Sequence, residues 1–240
     1  MACLAACSGG TSGHGHRVIV ASDDQVVSYQ GYSGTAIVST DGRTVTVGPF
    51  VPPCSGTTTP VAAQNATRVE LWLRYTVPAR HGVCQVVKAI VDSLQIRLKA
   101  PLGTRKLADG ATGRAVARIS ARLVLRPAEM PAGYLLRARY PGVDFSGPQS
   151  PGPAGCVQFY LDDTRTAEHM LYIEQSAGRL RVPAPGPGGW TAIRVRGQPT
   201  RNLITWREHG LTDYIAVDGP QWPQVLSTGQ LIAIADSAPA

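Results

Sequence analysis

Residues 68–76 read RVELWLRYT. Val69, Leu71, Leu73 and Tyr75 alternate with Glu70, Trp72 and Arg74. A period of two sends alternate side chains to opposite faces of a sheet, so this run predicts a strand with one face in a core. It sets the class of the chain because similar runs recur on both sides. Upstream, TAIVSTDGRTVTV (35–47) puts two short alternating runs around Asp41-Gly42, a strong hairpin signal. Downstream, LQIRLKA (94–100) is strand-like. In RISARLVLR (118–126), Ile119, Ala121, Leu123 and Leu125 alternate with Arg118, Ser120 and Arg122, which predicts another strand. Asp109-Gly110 predicts a turn. Residues 83–94 are ambiguous. Val83, Val86, Val87, Ile90, Val91 and Leu94 fit helical spacing, but the β-branched content favours a strand.

LRPAEMPAGY (125–134) reads as a joint, because Pro127 and Pro131 break any regular element. Beyond it come GYLLRARY, CVQFYLDD, HMLYIEQSAGRLRV and WTAIRVRG, then NLITWRE-HG-LTDYIAV, a hairpin turning at His209-Gly210. The closing LSTGQLIAIADS is helical by pattern. Ser227 and Gln230 form a capping-box pair, and Leu231, Ile234 and Ala235 make an apolar stripe. The expected architecture is mostly β, of the α+β class. Residues 1–16 form a leader remnant and tether, 17–127 an antiparallel β domain, and 128–240 a second antiparallel sheet ending in helix 227–237.

Composition agrees with many short elements joined by turns: 26 Gly and 19 Pro in 240 residues, with only 16% charged residues. No run of eighteen apolar residues occurs, so the sequence offers no membrane-spanning helix. The formal charge of +7 is concentrated in the middle: residues 68–139 hold 14 Lys and Arg against 4 Asp and Glu. Within that band Arg97, Arg105, Arg114, Arg118 and Arg122 are candidate contacts to an anionic surface, provided they share one face. The competing explanation is base composition, since Lys88, Lys99 and Lys106 are the only lysines among 23 cations.

The five cysteines bear on compartment. Leu4-Ala5-Ala6-Cys7 matches the box at which bacterial lipoproteins are cut and acylated, and SGGTSGHG after it has the composition of a flexible tether. Too little precedes Cys7 to form a signal peptide, so the expectation is that the natural start lies upstream of Met1 and that Cys7 carries the lipid, palmitate among its chains. In an oxidising compartment Cys54 and Cys84, both at loop ends, are the expected disulfide. Cys156 is left over, either a small buried apolar residue or a reactive thiol with a cationic neighbour.

Signatures of chemistry are sparse. Gly31-Tyr32-Ser33-Gly34 has the wrong spacing for a hydrolase elbow, and no Ser-x-x-Lys pair is present. Asp109-Gly110-Ala111-Thr112-Gly113 reads as a turn. His14-x-His16 sits in the tether, where no preformed metal site is expected. His81 precedes Cys84 by three residues, Asp162-Asp163 closes a strand, and His209 is a turn residue. Trp190, Trp206 and Trp222 suit core or rim packing. No cofactor, metal or catalytic residue is expected, and nucleic acid is not an expected partner.

Three motifs carry a resemblance: Pro131-Ala132-Gly133-Tyr134, Trp206-Arg207-Glu208-His209-Gly210, and Leu226 through Ala235. With them the C-terminal half resembles the lipoprotein-sorting-like β domain of actinobacterial and firmicute lipoproteins and anti-sigma-linked membrane proteins. Residues 17–126, with PLGTRKLADGATGR as the most recognisable piece, look like the front half of uncharacterised actinobacterial lipoproteins. The resemblance implies a curved antiparallel sheet with a helix packed on it. It carries over no catalytic residue. It also implies, by fold analogy, a lipid or other apolar ligand on the concave face, with Trp206, Tyr214 and Ile232 as candidate lining. The leading expectation is a non-enzymatic lipoprotein on the outer face of the cell membrane. It would bind a partner protein or an envelope component such as an anionic polymer. The alternatives are an apolar-ligand carrier and, more remotely, an envelope enzyme using Cys156.

Overall fold

A computed structural model describes residues 16–22, 25–32, 34–48, 56–78, 93–141, 155–162, 170–177, 191–194, 202–218 and 226–238. The chain is mostly β, with several antiparallel sheets and one C-terminal helix. Strand β6 (Arg68–Pro78) is the spine of the first sheet, together with β1 (His16–Ser22), β2 (Gln25–Gly31), β5 (Thr57–Gln64) and β8 (Lys106–Asp109). One edge of β6 pairs with β5. The other edge is shared: β2 pairs with Trp72–Pro78 and β8 with Arg68–Leu71.

A second sheet has the order β7-β4-β3-β9, from β3 (Thr35–Val38), β4 (Thr44–Val47), β7 (Leu94–Arg97) and β9 (Ala117–Ser120). The two sheets face one another across a common core. Val69, Leu71, Leu73 and Leu107 come from the first, and Ala36, Val45, Val47 and Ile96 from the second. The alternation in RVELWLRYT is therefore resolved as predicted, with Val69, Leu71 and Leu73 inside. Two short ladders, β6 with β8 and β3 with β9, are parallel in a half expected to be antiparallel throughout. Parallel pairs need a connection of a dozen or more residues, and the strands of both pairs are farther apart in the chain than that.

The Asp41-Gly42 hairpin forms, but with a longer loop than a two-residue turn. Ser39 N–H donates to the Thr44 carbonyl at 2.9 Å, Asp41 accepts from Arg43 N–H at 2.9 Å, and Gly42 has φ +68°. The predicted strand 118–126 is corrected. It ends at Ser120, whose hydroxyl accepts the Arg122 N–H at 3.3 Å and starts a short 3-10 turn, Ala121–Leu123. Serine competes for local backbone partners in this way, and an alternating pattern carries no sign of it.

The third sheet has the order β10-β11-β12-β15-β14-β13. Its strands are β10 (Tyr134–Pro141), β11 (Gly155–Asp162), β12 (Met170–Ser176), β13 (Thr191–Arg194), β14 (Asn202–Glu208) and β15 (Leu211–Asp218). β14 and β15 meet at His209 and Gly210, both at positive φ (49° and 78°), as the turn reading required. Helix α1 (Thr228–Asp236) forms with the predicted capping box. It packs Leu231, Ile234 and Ala235 against Ile173, Ile204 and Ile215 of the sheet. A smaller cluster joins the halves: Ile37 and Ile119 pack with Val124, Cys156 and Leu211. The second sheet is thus covered on both faces. The ambiguous residues 83–92 lie outside the described residues.

Candidate functional site

Where the segment after β9 crosses the third sheet, it is held by buried side-chain amides. In a register row across the sheet, Cys156, Gln175, Asp213 and Trp206 follow one another from β11 to β14. Strand alternation puts Gln158, Ile173, Ile215 and Ile204 on the same face one row further on. Gln175 bridges the crossing chain at both ends. Its Oε1 accepts the Leu125 N–H at 2.7 Å, and its Nε2 donates to the Leu123 carbonyl at 2.6 Å and to Asp213 Oδ1 at 2.9 Å. Gln158 donates to the Leu125 carbonyl at 2.7 Å. Its Oε1 accepts Arg139 Nε and Nη2 at 3.0 and 2.8 Å. Between them the two glutamines satisfy both backbone groups of Leu125, which is how a polar chain segment can cross a buried face at all.

Burial dominates the electrostatics of this row. It pushes the Asp213 carboxyl up to about 7; Gln175 works the other way, and the charge of Glu208 adds to the rise. It pushes the Cys156 thiol up to about 12, against a weaker pull from Arg139. A thiol that far from its thiolate form is a poor nucleophile, so Cys156 takes the role of a buried apolar residue packed with Ile37 and Leu211. The chemistry of the row is that of a clamp. Among the described residues, no group of three His, Cys, Asp or Glu side chains is arranged to hold a metal.

The residues singled out from sequence are not gathered into one site. Cys7, Cys54 and Cys84 lie outside the described residues, as do Trp190, Trp222, His81 and His169. Trp206 and Ile232 are half-buried and pack against the core beneath α1. Position 214 is in register with Thr205 and Glu174, on the sheet face opposite to that of Trp206. The three are therefore not brought together. The arginines also scatter. Arg97 and Arg118 lie on opposite edge strands of the second sheet, and register puts them on opposite faces. The Arg105 guanidinium is spent on the carbonyls of Ala100 and Pro101, at 2.7 and 2.8 Å. Arg114 and Arg122 are exposed in a loop and a 3-10 turn.

Two other sites were not found from sequence. Leu135 and Leu136, 52% and 42% exposed, lie on β10 at the end of the third sheet. A cleft of about 450 Å³ opens beside the β6–β8 ladder, with Thr67, Arg68, Lys106 and Gly113 in its walls. Its signal in the sequence is faint, because Arg68 and Lys106 are 38 positions apart and only the parallel ladder makes them neighbours. Compared with protein families, curated proteins and solved structures, the chain matches none. No helix among the described residues is long and apolar enough to cross a membrane.

Proposed function

We propose that the chain is a non-catalytic lipoprotein, acylated at Cys7 and held on the outer face of the cell membrane, whose folded part binds a partner protein of the envelope. One observation carries the binding half of this reading: the exposed Leu135-Leu136 pair on edge strand β10. Among the described residues β10 ends its sheet; the bulge between Leu136 and Ala138 and the arginines Arg137 and Arg139 guard its later part, whereas its first part presents Leu135 and Leu136. These two leucines, half-exposed on opposite faces of the strand, are apolar surface that an added strand would cover. A partner strand added to β10 would take up the backbone groups and cover one leucine on each face. The reading as a carrier of an apolar ligand has less support. The face that would hold the ligand is filled by Leu231, Ile234 and Ala235 of α1.

The test is made in the cells that produce the protein. A photo-crosslinking residue at position 135 should trap one protein at the membrane, and Leu136→Ser should abolish the product. Cys7→Ser should release the chain from the membrane fraction and remove incorporation of a palmitate analogue. Unlipidated Cys7 would overturn the anchoring half. Persistence of the product in Leu136→Ser would overturn the binding half.

A further inference from the structure

The outer face of the first sheet carries a second site, which depends neither on the anchor nor on β10. The parallel β6–β8 ladder sets Arg68 directly across from Lys106, and Glu70 across from Ala108. Like charges directly opposed in a sheet repel. Glu70 offsets only one of the two, with its Oε1 3.4 Å from Arg68 Nε. Lys106 is exposed and has no ion-pair partner among the described residues. Arg68 is held in place, its Nη2 donating to the Gly113 carbonyl at 2.7 Å. The loop that supplies that carbonyl is itself braced. Asp109 Oδ1 accepts the N–H groups of Ala111 and Thr112 at 2.7 and 3.0 Å, and Gly113 sits at φ +71°. The result is two neighbouring cations, one of them rigid, at a cleft of about 450 Å³. That volume is within the range of small-ligand sites and larger than a bare anion needs.

Further along the same face, β6 presents Trp72, half-buried against Gly110, and exposed Arg74, which is in register with Tyr29 of β2 and Thr59 of β5. At the rise of a strand, Trp72 stands about 13 Å from Arg68 and Arg74 about 20 Å. Two cations at the cleft, then the Trp72 ring, then Arg74 lie along this face, with the one carboxylate of Glu70 paired to Arg68, and this surplus of positive charge beside a ring suits a chain of ringed, anionic units. The aromatic plane offers a surface to the C–H side of a sugar, and the cations bind its acidic groups. We propose that this cleft and face bind an acidic oligosaccharide, with Arg68 and Lys106 gripping a carboxylate or phosphate and Trp72 contacting a neighbouring ring.

Calorimetric titration of the whole chain at low salt tests this, using hexagalacturonate, maltohexaose and an oligo-dT of similar length as probes. Hexagalacturonate should bind with one-to-one stoichiometry, and maltohexaose at least about tenfold more weakly. Lys106→Ala removes an exposed side chain with no structural bond, and should lower hexagalacturonate affinity by about tenfold, the equivalent of one charge-assisted contact. Arg43→Ala, in the β3–β4 turn, should leave it within about twofold of wild type, since distant exposed charges act weakly. Absence of hexagalacturonate binding would overturn the proposal, as would equal losses in the two variants, which would mean diffuse charge attraction. Tighter binding of oligo-dT would reassign the face to nucleic acid.

Discussion

Replacing Gln175 with leucine should be among the most costly single changes in the molecule, although leucine fills nearly the same volume. Gln175 is 1% exposed and makes three bonds, to Leu125 N–H, the Leu123 carbonyl and Asp213 Oδ1, at 2.7, 2.6 and 2.9 Å. Leucine makes none of them and leaves three polar groups behind, two of them buried and the Leu123 carbonyl partly so. Each stranded group costs about 1–3 kcal/mol, less what local relaxation recovers, so the expected loss is about 3–5 kcal/mol. That is a large part of the roughly 5–15 kcal/mol that holds a domain folded. The comparison is Gln64→Leu. Gln64 accepts one bond, from Lys99 N–H at 3.2 Å, at the surface. Its loss should cost about 1 kcal/mol or less. Urea unfolding at neutral pH measures both, read as a shift in midpoint at unchanged slope. If Gln175→Leu comes within about 1 kcal/mol of wild type, or Gln64→Leu costs as much, the amide clamp does not hold the crossing segment and the argument fails.

Other outcomes follow from the same geometry. The folded Asp213 carboxyl titrates at about 7, above its unfolded value, so the folded state binds the extra proton and stability should fall as pH rises from the ordinary carboxylate range to about 7. Asp213→Asn should flatten that slope, as urea midpoints across the window will register. Ser227→Ala removes the acceptor for Gln230 N–H and half of the capping box on α1, and should cost about 1 kcal/mol by the same assay. In the folded protein, Cys156 should resist thiol reagents at mildly alkaline pH and react only on unfolding. Prompt labelling would contradict its burial and raised thiol pKa. Gly31→Ala should destabilise strongly in thermal melts, because a methyl group there meets the Asp109 carboxylate and Ala111.

Much of the fold was legible from local pattern. Alternation in 68–76 named the strand and its inner face, Asp41-Gly42 and His209-Gly210 named two turns, and Ser227 with Gln230 named the start of the helix. Each is a local rule, written within a few residues and read by the backbone of the same few residues. The candidate sites were far less legible. The band of arginines was chosen by nearness in sequence, whereas register separates Arg97 from Arg118 and joins Arg68 to Lys106. Nothing in the local pattern marks Gln158 and Gln175; both are buried because the segment after β9 lies across them.

Class, two turns, the helix cap and the buried side of β6 were determined by the order of residues alone, since side-chain period and turn chemistry are properties of short stretches. Only the tertiary structure decided which strands are neighbours, and with that the parallel pairs, the amide clamp and the cationic cleft. Pairing is chosen by burial of whole sheet faces against one another. That quantity sums over residues far apart in the chain, and no window of the sequence contains it.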